Sequence, residues 1–143
     1  MKKYLIAAFL VMIVASTFAQ EAKTQTPATK VDGPVLTLDK NTHDFGTITQ
    51  GDVVEKIFTF TNTGNQPLII TNIQTSCGCT QPEWPRNPIM PGAKGEIKVG
   101  FNSAGKSNRQ DKKLPIISNA VNDPTISFTT LVVAKEAQPQ PNR

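Results

Sequence analysis

Val54-Glu55-Lys56-Ile57-Phe58-Thr59-Phe60-Thr61 runs directly into Asn62-Thr63-Gly64-Asn65. The first eight residues place Phe58 and Phe60 on one face and interleave them with Thr. That alternation suits a half-buried β-strand, whose side chains point to opposite faces in turn. The four residues that follow can close a hairpin, because Gly and Asn tolerate positive φ. The chain then resumes an apolar run over residues 68–75, read as the next strand.

Working outward, the same grammar repeats. Short runs rich in Val, Ile, Phe and Thr occur at residues 35–38, 45–48, 96–101, 114–118 and 126–133. In residues 96–101, Ile97, Val99 and Phe101 align on one face. Pro91-Gly92 suits a type II turn, with Pro fixing φ and Gly supplying the positive φ that follows. Residues 102–108 and 119–124 read as loops. No stretch after the first nineteen residues sustains helical periodicity for three turns, and Gly, Pro or Asn interrupts nearly every candidate. The spacing predicts an all-β, antiparallel β-sandwich of about seven strands. A small closed barrel is the alternative.

The ends read differently. Met1-Lys2-Lys3 precedes an apolar run over residues 4–14, and Thr17 and Ala19 supply a small-x-small cleavage site. This is the pattern of an export signal over residues 1–19, too short for the roughly 20 apolar residues of a bilayer span. Cleavage is expected after Ala19. The first cysteine is Cys77, so no lipid anchor is expected at that site. The reading gives an exported protein, periplasmic or secreted, with no stable membrane insertion after cleavage. Residues 20–33 are polar and read as a flexible linker, and residues 136–143 as a disordered tail. Residues 34–135 remain as one domain of immunoglobulin size, large enough for a core.

Fifteen basic side chains stand against eleven acidic ones. Losing Lys2 and Lys3 leaves a net charge of +2, and the longest basic run is Lys112-Lys113. No clustered basic patch with interleaved aromatics is present, which argues against nucleic-acid binding.

Chemistry concentrates in Thr75-Ser76-Cys77-Gly78-Cys79-Thr80. A Cys77–Cys79 disulfide is the first reading, since export favours oxidation, with Gly78 expected to relieve a tight ring. Such a short loop contributes roughly 1.6 kcal/mol on the chain-entropy model. A soft metal such as Cu(I) is a second reading, with His43 or Met90 as further ligands. Thiol–disulfide exchange is a third, although the spacing is not C-x-x-C and no helix follows. Trp84 could offer an apolar binding surface, but is expected to pack over the open edge of the sandwich beside the cysteine loop. The chain has one histidine and lacks the G-x-S-x-G, H-E-x-x-H and phosphate-loop patterns. Asp39, Asp44 and Asp52 are expected to be solvated carboxylates. No enzyme activity and no cofactor are expected.

Several of these residues together resemble a known family. His43-Asp44-Phe45-Gly46, Gly51, the run from Phe58 to Gly64, Leu68-Ile69-Ile70, Ser76-Cys77-Gly78-Cys79-Thr80, Pro91-Gly92 and Ser118-Asn119 are similar to the exported bacterial family called domain of unknown function 1573. The similarity spans residues 42–133. It implies an immunoglobulin-like sandwich related to major sperm protein and Hydin-type domains, without an established enzymatic activity. The resulting expectation is a non-catalytic module that binds or supports another envelope or secreted protein. The alternative is a small Cu(I)-binding or redox protein acting through Cys77 and Cys79.

Overall fold

The computed structural model describes residues 32–135. The export signal, nearly all of the linker and the C-terminal tail expected from the sequence lie outside the described residues. Eight strands follow in order: β1 (Leu36–Leu38), β2 (Thr42–Thr49), β3 (Val53–Asn62), β4 (Ile70–Ile73), β5 (Thr80–Glu83), β6 (Lys94–Asn102), β7 (Asn108–Ser118) and β8 (Thr125–Val133). They form two four-stranded sheets, ordered β1-β3-β6-β5 and β2-β8-β7-β4. Strand alternation builds the core between them. Phe58 and Phe60 of β3 and Ile97, Val99 and Phe101 of β6 face Leu114 and Ile116 of β7 and Ile126, Phe128 and Val132 of β8. Each such side chain contributes roughly 1.5–3 kcal/mol by leaving water. The result is an immunoglobulin-like β-sandwich, as expected, and not a closed barrel.

The connectivity follows the ABED and CFG sheets of an immunoglobulin domain. The first strand, however, is divided. β1 pairs antiparallel with β3, the chain crosses at residues 39–41, and β2 then lies parallel to β8. One pair is therefore parallel within a fold expected to be antiparallel. Alternation reports which face a residue occupies, not which strand lies alongside, so this crossing leaves no mark in the pattern.

Two other expectations change. Residues 62–65 do not close a hairpin: β3 and β4 belong to different sheets. Asn62 is instead fully buried and ties the crossover together. Its Oδ1 accepts from Val35 N at 3.3 Å and Gly64 N at 3.1 Å, and its Nδ2 donates to Gln66 O at 2.8 Å and Ile89 O at 2.9 Å. β5 was not expected at all, because a four-residue strand containing Pro82 carries little strand signal.

The Pro91-Gly92 turn forms as read. Gly92 has φ +77, and Ala93 N donates to Met90 O at 3.0 Å. Beyond it, Gly95 pairs with Phe60 across the sheet. A Cβ at Gly95 would collide with the Phe60 ring, approaching its Cε1 to 2.8 Å.

Candidate functional site

The cysteine loop leaves β4, crosses between the sheets and enters β5. Cys77 and Cys79 are joined as a disulfide, with Cα atoms 5.2 Å apart. Two backbone bonds fasten the loop: Thr80 N donates to Cys77 O at 3.4 Å, and Asn102 N donates to Cys79 O at 2.9 Å. Gly78 does not play the part expected of it. It is not among the glycines with positive φ, and a Cβ built there meets nothing within 4 Å.

The suggested partners of the cysteines do not gather around them. Met90 begins the turn before β6, while Cys79 sits beside the strand's other end, opposite Asn102. The nine residues of β6 place about 27 Å between those ends. His43 lies on β2, in the other sheet, packed edge-on against Phe45 with ring centroids 4.6 Å apart. Among the described residues no three His, Cys, Asp or Glu side chains converge. Trp84 does close a sandwich edge. Its Nε1 donates to Ile70 O of β4 at 3.2 Å, and Arg86 stacks 3.9 Å from its ring centre. It does so beyond Glu83, at the opposite end of β5 from the cysteines. Asp44 and Asp52 cap backbone N–H groups of Gly46 and Thr49, at 2.8 and 2.9 Å.

The sheet edges reveal a feature that motif reading missed. Most are closed by side chains. Asn122 clamps Leu36 of β1, accepting from its N–H at 3.1 Å and donating to its carbonyl at 2.9 Å. On β4, Trp84 occupies Ile70 O and Asn72 Oδ1 occupies Ile73 N at 2.9 Å. On β5, Pro82 has no N–H to offer, and that of Thr80 is used within its own turn. On β2, a bulge at Gly46, φ +70, breaks the edge, and Thr130 Oγ1 draws the Gly46 carbonyl inward at 2.9 Å.

β3 is different. β1 ends at Leu38, and its last contact is Asp39 N to Thr59 O at 3.0 Å. Asn62 N, by contrast, donates to Ala93 O on the β6 side. Antiparallel ladders alternate, so odd-numbered residues of β3 direct their backbone groups toward β1 and even-numbered ones toward β6. Val53, Glu55 and Ile57 therefore point three N–H and three C=O groups past the end of β1. Val53 is 63% and Ile57 52% exposed. On the outer face, Glu55 pairs with Lys98 at 3.0 Å, and that hydrogen bond raises the lysine pKa.

Beneath this edge runs a groove of about 490 Å³, bordered by Lys40, His43, Asp44 and Lys56 and floored by Phe128. Lys56 shares the inward parity of Phe58 and Phe60, yet remains only half-buried. Burial holds the His43 pKa below its ordinary value, with Lys56 adding to the effect, Asp44 opposing it and Lys40 contributing least. A lysine at a core-parity position of a strand was the sequence signal for this groove.

Comparison with known proteins agrees with this architecture. The fold is similar to that of a protein of unknown function from Porphyromonas gingivalis W83, with TM-score 0.61 and 19% identity over 75% of this chain. This chain spans 51% of that protein. It is also similar to the ASH/PapD-like domain 7 of human CEP192, with TM-score 0.62 and 8% identity, covering 94% of this chain and all of that one. A match to the VesB protease of Vibrio cholerae, with TM-score 0.55 and 14% identity over 68% of this chain, takes in only 31% of the protease. These likenesses speak to fold alone. No curated protein matches the chain. The family model described as protein of unknown function (DUF1573) matches residues 36–132, strands β1 to β8, and the chain belongs to that family.

Proposed function

We propose that this chain is an exported, non-catalytic module that binds another envelope or secreted protein by accepting one of its extended segments along β3. The unpaired edge at Val53, Glu55 and Ile57 carries the proposal. Three successive outward residues offer donors and acceptors in strand register, next to exposed apolar side chains. Strand addition uses such groups for affinity and the neighbouring side chains for specificity. The absence of a catalytic set in the sequence supports the non-catalytic reading, and the N-terminal signal pattern supports export.

Ile57→Pro tests it. Ile57 directs its N–H away from β6, so proline removes a docking donor while sparing the β3–β6 ladder. A partner captured from envelope extracts should protect the amides of Val53, Glu55 and Ile57 from exchange, and Ile57→Pro should abolish capture while the domain stays folded. A folded Ile57→Pro protein that still binds that partner overturns the proposal.

A further inference from the structure

We infer that the segment received by β3 is acidic at the residue lying opposite Lys56. This rests on strand addition at β3 and specifies what that edge selects.

In an antiparallel pair, residues directly opposite each other point to the same face. A partner residue opposite Lys56 would therefore enter the groove beneath the edge. There it meets the Lys56 ammonium, with Lys40 and His43 alongside. Among the described residues, neither lysine has a carboxylate within ion-pairing distance; the ion pairs are Glu55–Lys98 and Arg109–Asp111. Asp44 is the one acid bordering the groove. Partner residues opposite Val53 and Ile57 would lie on the outer face, against exposed apolar side chains. The chemistry that fits is an extended peptide with an aspartate or glutamate on one face and aliphatic residues flanking it on the other.

An inward-pointing lysine near a strand edge also serves to repel unwanted strands. Here the two effects combine. Lys56 opposes an apolar strand, whose arrival would strip water from the ammonium without replacing it, and admits one that brings the counter-charge.

Two synthetic nine-residue peptides test this. One has a central aspartate with a valine one residue before it and another three residues after it, the positions opposite Ile57 and Val53, within a threonine and serine frame. The other replaces the aspartate with asparagine. Both are titrated into the isotope-labelled protein, with the amides of Val53, Glu55 and Ile57 as reporters. The acidic peptide should bind about fivefold more tightly, the upper end for a solvent-accessible ion pair. Lys56→Gln should erase the preference while the edge amides still shift. The preference should grow as pH falls from 7.5 toward 5.5, as His43 gains a proton against Lys40 and Lys56 and with Asp44. His43→Gln should flatten that dependence. Equal affinity for the two peptides overturns the inference and leaves strand addition standing, provided that the edge amides respond. A preference that survives Lys56→Gln, or that leaves those amides unmoved, overturns it as well. If neither peptide shifts them, the strand-addition reading fails with it.

Discussion

The amide of Asn62 serves four backbone groups from three segments of chain, and it is fully buried. Replacing it with alanine would leave Val35 N, Gly64 N and Gln66 O without this partner and open a polar gap at a buried position. We expect Asn62→Ala to cost about 3 kcal/mol, measured as lost unfolding free energy in denaturant. The sequence hid this role: an asparagine two residues before a glycine reads as a turn, and a turn is what residues 62–65 were expected to be. Two glycines show a related contrast. Gly95→Ala drives a methyl group into the Phe60 ring and should cost about 2 kcal/mol. Gly78→Ala meets open space and should change stability by less than about 0.5 kcal/mol, with the disulfide intact. Equal effects at the two positions would contradict the packing described.

At the scale of elements, a strand's own sequence says which side chains go in, while its neighbours decide which edge stays open. Phe58-Thr59-Phe60 announced β3 clearly. That the lower part of β3 has no neighbour on its β1 side follows from β1 having only three residues, a fact recorded elsewhere in the chain. The polar half of β7, from Asn108 to Lys113, escaped notice because it alternates Gln110 and Lys112 with exposed residues and contains no apolar side chain. The cysteine loop was legible as chemistry, yet its structural weight is small. Its ends are already held by Thr80 and Asn102. Reducing the disulfide should lower unfolding free energy by no more than about 1.6 kcal/mol and leave the sandwich folded. Collapse of the native fold on reduction would show that the loop bears more than its backbone bonds indicate.

For the whole molecule, Val, Ile and Phe alternation with turn residues was enough to give a two-layer β architecture, because any such set of half-apolar strands must bury one face against another. The export proposal belongs to this scale too. Expressed from its full sequence in a bacterium with two membranes, the protein should be recovered from the soluble envelope fraction with Gln20 at its N-terminus, as read by intact mass and terminal sequencing. A chain retaining Met1 or remaining in the cytoplasm would refute it.

The parallel pairing of β2 with β8 has a mechanical consequence. β8 is the last strand and β2 follows only the three-residue β1, and the two run side by side in the same direction. Tension applied between Asp32 and Lys135 would first load the short β1–β3 pair and then draw β2 one way and β8 the other along their common axis. Hydrogen bonds across such a pair lie across the pull and share it, so they must yield together instead of opening one after another. A module tethered at both ends would resist stretching through the same crossover that leaves the lower part of β3 free to receive a partner.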